Sequence, residues 1–185
     1  MPSRLNLFLI LFGFAASFSL RAEDKLTGAI GFFSINAKTS GQSSSVSNPS
    51  AFNVGYLKPL SHQFEFRINY SLLLADFTGS DLGYGLNVGF NYYPFTSTSD
   101  QRLRTDSLDV TTHEQYRPYV GAVFAQRSFQ SIRNSFAGFG LITGMEKYYD
   151  KKLNLFAEMS YLSLAGSGLS TATEIQALVG LVFKL

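Results

Sequence analysis

Glu65 and Arg67 stand two residues apart in Phe64-Glu65-Phe66-Arg67-Ile68-Asn69-Tyr70. At the two-residue period of a strand they share one face, and Phe64, Phe66, Ile68 and Tyr70 share the other. A carboxylate and a guanidinium on a face hidden from water must find partners, because an unpaired buried charge is costly. The same alternation places Arg127, Glu146 and Glu158 on the corresponding face of later segments. This set has the chemistry of an ion-pair network. It serves either as a plug that fixes strand register or as a gate on a polar path, and the plug is the preferred reading.

Other chemistry finds little support. A hydrolase needs a base beside an activated nucleophile, but His62 lies in a turn and His113, followed by Glu114 and Gln115, lies in a polar stretch. Two distant histidines and no cysteine give no metal-ligand spacing and no thiol chemistry. No catalytic, cofactor-binding or metal residue is assigned. The chain reads as a non-enzyme without cofactors.

The elements that position the charges follow a leader. Met1 to Arg4 is basic and Leu5 to Leu20 apolar, so residues 1–22 read as a secretory signal peptide, with a cut after Ala22 or, alternatively, after Ser19. Sixteen apolar residues are short for a span of about 20. The mature domain, 23–185, has lost Arg4 and Arg21 and is formally neutral, which gives no electrostatic case for nucleic acid. Charged residues make up 15% of the chain against about 25% for soluble domains.

Beyond the leader, segments of about ten residues alternate between turn signals. The strands expected are Lys25–Lys38, with a suspected bulge near Phe32-Phe33, then Ala51–Leu57, Phe64–Leu74 and Tyr84–Tyr92. A fifth opens at Tyr116-Arg117-Pro118, and Gly138–Tyr149, Leu153–Leu164 and Glu174–Leu185 follow. Thr39–Ser50, Phe77–Leu82, Ser128–Ala137 and Ala165–Thr173 read as loops on one side. The turns at Lys58–His62 and Asp150–Lys152 and the polar segment Thr96–Gln115 lie on the other, periplasmic side. Pro59, Pro94 and Pro118 sit at strand boundaries, and Tyr56, Tyr92, Tyr93, Tyr119, Tyr148 and Tyr149 read as a girdle beside the periplasmic turns.

The terminal strand carries Ile175, Ala177, Val179, Leu181, Phe183 and Leu185 on one apolar face. An open edge of this kind invites pairing with other chains, so a sheet closed by this strand, with lipid against the apolar face, is expected. The fold class is therefore all-β, an eight-stranded antiparallel up-and-down transmembrane β-barrel. A soluble lipocalin-type barrel would instead show water Gly85, Asn87, Gly89, Gly121 and Gly140, where soluble strands usually carry Lys, Glu or Thr. Gly85, Gly89, Gly121 and Gly144 are expected inside, where they would leave space for water.

Asn53–Leu74, Arg117–Phe124 and above all Gly140–Leu162 resemble the small outer-membrane β-barrel proteins, the OmpA-type transmembrane domain and its single-domain relatives. The resemblance covers most of the mature chain and rests on the order and spacing of loose motifs. It implies a monomeric barrel in the outer membrane of a Gram-negative cell, in contact with outer-membrane lipid and lipopolysaccharide. It also implies a terminal strand, Val179, Leu181, Phe183 and Leu185, read by the barrel assembly machinery. Two departures stand out. Leu185 occupies the place of the usual terminal aromatic, and Thr96–Gln115 is long for a periplasmic turn, so that it holds either a flexible insertion or a further pair of strands near Arg102–Thr112.

Related small barrels include lipid A deacylases and palmitoyltransferases, but the His-x-Ser arrangement of the deacylases is missing at His62 and His113. The functional expectation is a structural envelope protein with a largely plugged polar lumen. The alternatives are a narrow porin for ions or small solutes, and adhesion or ligand binding through the surface loops.

Overall fold

The computed structural model describes residues 24–39, 42–75, 81–95, 101–105, 108–112, 116–129, 135–166 and 170–185. The alternating segments form β1 (Lys25–Thr39), β2 (Gln42–Pro59), β3 (Phe64–Ala75), β4 (Asp81–Tyr92), β5 (Gln101–Thr105), β6 (Leu108–Thr112), β7 (Tyr116–Phe129), β8 (Ser135–Asp150), β9 (Leu153–Ala165) and β10 (Thr171–Lys184). Eight of them close an antiparallel barrel in the order β1-β10-β9-β8-β7-β4-β3-β2. The pair anticipated near Arg102–Thr112 exists as the separate ribbon β5-β6 and adds no stave to the barrel.

Ile30, Phe52, Val54, Phe90, Val120, Phe124, Phe139, Leu141, Met159, Ile175 and Val179 project outward and are exposed. A hydrogen-bonded ladder closed on itself, with an apolar outer face, satisfies every stave where no water is present and so can cross a bilayer. No helix among the described residues is long and apolar enough to do so. Beside the β3 and β4 ends, Phe64 packs on Tyr92 with ring centroids 5.0 Å apart and Phe66 on Phe90 at 5.5 Å.

Closure occurs where β10 pairs with β1 without interruption from Lys25↔Lys184 to Lys38↔Thr171. The Leu185 amide continues the seam by donating to the Asp24 carbonyl at 2.9 Å. The terminal strand is thus a stave paired on both sides.

Several boundaries differ from the sequence expectation. Most of the expected loop Thr39–Ser50 is strand, since Phe33–Thr39 of β1 pairs with Gln42–Asn48 of β2. Its side chains do not alternate apolar and polar because backbone pairing and cross-strand polar contacts suffice there. Ser34 and Ser47 hydroxyls meet at 2.8 Å, and the Ser43 hydroxyl donates to Asn36 Oδ1 at 3.1 Å. The irregularity suspected in β1 lies across from it, because Gly31↔Ala51 is followed by Phe33↔Asn48 and β2 carries the extra residue at Pro49-Ser50. A proline without an amide donor suits such a bulge. Phe32 and Phe33 are adjacent because Phe32 faces outward while Phe33 is fully buried inside. The expected loops Phe77–Leu82, Ser128–Ala137 and Ala165–Thr173 also shorten as β4, β7, β8 and β10 extend into them.

Candidate functional site: the barrel lumen

Alternation delivers charge to the inside from six staves. Lys25 comes from β1, Glu65 and Arg67 from β3, Arg117 and Arg127 from β7, Glu146 from β8, Glu158 from β9 and Glu174 from β10. Four cations thus meet four carboxylates, and every one except Arg117 is buried.

Nearest the termini, Lys25 Nζ lies 2.5 Å from Glu65 Oε1 and 3.7 Å from Glu146 Oε2. Arg117 approaches the same Glu146 oxygen at 3.7 Å and stacks 4.3 Å from the centre of the Tyr93 ring. The Tyr93 hydroxyl sits 2.6 Å from Glu65 Oε2 and 2.8 Å from Glu146 Oε1. A phenol has one proton, so Tyr93 donates to one of these carboxylates at a time and ties the two together. The Asn154 amide donates to Glu146 Oε2 at 3.3 Å.

The next tier is a fork. Arg67 Nη1 and Nη2 donate to Glu158 Oε2 and Oε1 at 2.7 and 3.0 Å, a paired geometry that fixes both side chains. Asn91 Oδ1 accepts from Arg67 Nη1 at 3.0 Å, and the Tyr119 hydroxyl donates to Glu158 Oε2 at 2.7 Å. Towards the other end a second fork joins Arg127 Nε and Nη2 to Glu174 Oε2 and Oε1, both at 2.8 Å, with Asn87 Oδ1 accepting from Arg127 Nη1 at 2.7 Å. Both charged partners of this pair are 0% exposed.

Beyond Arg127 the lumen is largely apolar. Ile35, Ala37, Leu73, Phe129, Phe136, Leu162, Leu164 and Ala172 point inward and are buried. The charged side chains of the lumen are thus concentrated towards the termini, while the opposite half holds the Arg127–Glu174 pair within a largely apolar packing.

The sequence expectation named Glu65, Arg67, Arg127, Glu146 and Glu158, and all five face inward. They do not form one cluster. Glu65 and Glu146 meet through Lys25 and Tyr93, Arg67 holds Glu158, and Arg127 takes Glu174. Lys25, Arg117, Asn154 and Glu174 were not anticipated, although Glu174 stands at the same parity as the inward-facing Gln176 and Leu178. Tyr93 and Tyr119, expected in the outer girdle, are instead buried in the lumen. Tyr93 follows outward-facing Tyr92, so its side chain turns in, and Tyr119 precedes outward-facing Val120.

The inward glycines make room for these side chains, leaving little space for water. A Cβ on Gly144 would collide with the Tyr119 ring, and one on Gly85 with the Arg127 guanidinium. The cavity between Arg67, Tyr119, Glu146 and Glu158 has a volume of about 10 Å³, enough for a single water at most.

His62 lies exposed in the turn between β2 and β3, and His113 falls outside the described residues. Among the described residues no three acidic or histidine side chains are grouped so as to hold a metal ion. Val179, Leu181, Phe183 and Leu185 are exposed on the outer surface.

No family model matches the chain, and no curated protein matches it. Among solved structures it is similar to Neisserial surface protein A (NspA), with a TM-score of 0.62, 14% identity, and coverage of 88% of this chain and 97% of that one. It is also similar to the outer membrane protein OprG from Pseudomonas aeruginosa, with a TM-score of 0.52, 11% identity, and coverage of 89% and 97%. At such identities the likeness is one of fold, the small closed eight-stranded barrel.

Proposed function

We propose that the protein is an integral outer-membrane β-barrel with a structural envelope role and a plugged lumen. The observation that carries this reading is the crowding of the interior by two arginine–carboxylate forks, the Lys25–Glu65–Tyr93–Glu146 group and an apolar half, with a cavity of only about 10 Å³ beside Arg67 and Glu158. A barrel of eight strands has room for side chains and little else. In this reading the chain is exported by a cleaved signal peptide, handed to the barrel assembly machinery through Val179, Leu181, Phe183 and Leu185, and resides as a monomer among phospholipid and lipopolysaccharide. It is not an enzyme and uses no cofactor. The solved barrels it resembles in fold are outer-membrane and surface proteins by name, which agrees with that location.

The test is potassium release from vesicles that contain the refolded protein, with a heat-dependent gel shift to establish that the barrel is closed. Release at the rate of protein-free vesicles is expected. Release that scales with the amount of closed barrel would identify a narrow porin.

A further inference from the structure

Lys147 brings a positive charge to the outer face of β8. It stands at the outward parity of β8, after Leu141 and Met145, and is exposed. Its row across the barrel is Leu155 on β9, Leu181 on β10 and Gly28 on β1. The ammonium lies 5.5 Å from the centre of the ring of Tyr116, its pairing partner on β7. The ion pairs among the described residues do not include it. A lysine on an outward-facing row, with a ring beneath it and no ion-pair partner among the described residues, presents a positive charge to whatever lies against that face.

A groove of about 610 Å³ lies against this face. Met145, Leu155, Val179 and Leu181 line it, Gly28 and Ala157 are among its small residues, and Tyr116 and Lys147 contribute the only hydroxyl and the only charge among its lining residues. Gly28 is open in a way no other described glycine is, since a Cβ there would meet nothing within 4 Å. The volume falls within the range of about 300 to 1,000 Å³ typical of small-molecule sites.

An apolar trough next to an exposed ammonium is complementary to an acyl chain joined to a phosphate. We propose that this groove is a binding site for one anionic glycerophospholipid, its phosphate on Lys147 and an acyl chain over Ala157 and Gly28. The proposal rests on the reading that the barrel spans a lipid bilayer.

The test is native mass spectrometry of the detergent-extracted protein after exchange against equimolar phosphatidylglycerol and phosphatidylethanolamine, with the heat-dependent gel shift run on every sample. The wild-type barrel is expected to retain one phosphatidylglycerol in preference. Lys147→Gln should lower that preference about fivefold, the effect of one lysine near an anionic headgroup. Gly28→Leu, whose side chain enters open space, should displace both lipids while the barrel stays closed. Equal retention of the two lipids by the wild type, or unchanged selectivity in Lys147→Gln, would overturn the site, as would a two-barrel species in place of the lipid adduct. Loss of the gel shift in the wild type would instead refute the membrane-barrel reading beneath it.

Discussion

The two halves of the lumen are lined by different kinds of side chain. Towards the termini, space is occupied by charged and phenolic side chains that hold one another, as Arg67 holds Glu158 and Tyr93 bridges Glu65 and Glu146. Towards the other end Phe129, Phe136, Leu162 and Leu164 exclude water by packing, and they surround a single ion pair, Arg127–Glu174. The charged half has several partners for each charge, so a lost contact has substitutes nearby. In the apolar half Arg127 also has Asn87, but Arg127 is the one partner of Glu174 among the described residues. Charge is therefore tolerated in the lumen for different reasons at the two ends, and damage should spread differently.

Arg127→Ala is expected to be the most harmful single change, because it strands the buried Glu174 carboxylate without its guanidinium partner, at a cost of about 3 to 5 kcal/mol in unfolding free energy measured by urea titration in lipid. Replacing both partners, Arg127→Met with Glu174→Leu, should restore most of that loss, since an apolar pair suits the surroundings. A double variant as unstable as the single one would show that this half depends on its ion pair, and the contrast between the halves would fail.

Arg67→Ala should also destabilise, by about 2 to 4 kcal/mol, and somewhat less than Arg127→Ala because the Tyr119 hydroxyl still holds Glu158. Equal losses at Arg67 and Arg127 would argue that neighbouring partners do not cushion the charged half; an unchanged midpoint in Arg67→Ala would remove Arg67 from the network. In the apolar half, Leu162→Ala is expected to lower stability by about 2 to 4 kcal/mol through cavity formation, without making the barrel conduct. Tyr93→Phe should have the smallest effect, about 1 kcal/mol, because Lys25 and Asn154 continue to hold Glu65 and Glu146. A loss as large as that in Arg67→Ala would make Tyr93 the keystone of the charged half.

The comparison also shows what the sequence made legible. The outward face was readable everywhere that lipid enforces it, as in Phe64, Phe66, Ile68 and Tyr70 against Glu65, Arg67 and Asn69. A slip of one residue there would turn two charges into hydrocarbon. Strand number and order followed from that constraint. The hairpin of β1 and β2 beyond Phe32 was not readable as strand, because its outer face carries Ser34 with Ser47 and Ser43 with Asn36, hydrogen-bonded in pairs, instead of an apolar stripe. The apolar half of the lumen was hidden for the opposite reason. Phe33, Ile35 and Ala37 are apolar on the inside, so alternation between Phe32 and Phe33 vanished although the pleat continued. Tyr93 and Tyr119 carry a polar tip on an apolar ring and suit either a girdle or a buried network. Only the position of Glu65, Glu146 and Glu158 decides between the two, and that requires the closed barrel.

The most direct test of the central proposal, that the lumen is plugged, is planar-bilayer recording from the refolded protein alongside its Glu158→Gln and Arg67→Ala variants, each verified as a closed barrel by its gel shift. The account predicts that the wild type inserts without a sustained conductance step. Reproducible steps in the wild type, with an amplitude or ion selectivity altered by Glu158→Gln or Arg67→Ala, would contradict it and make the charged half of the lumen a path.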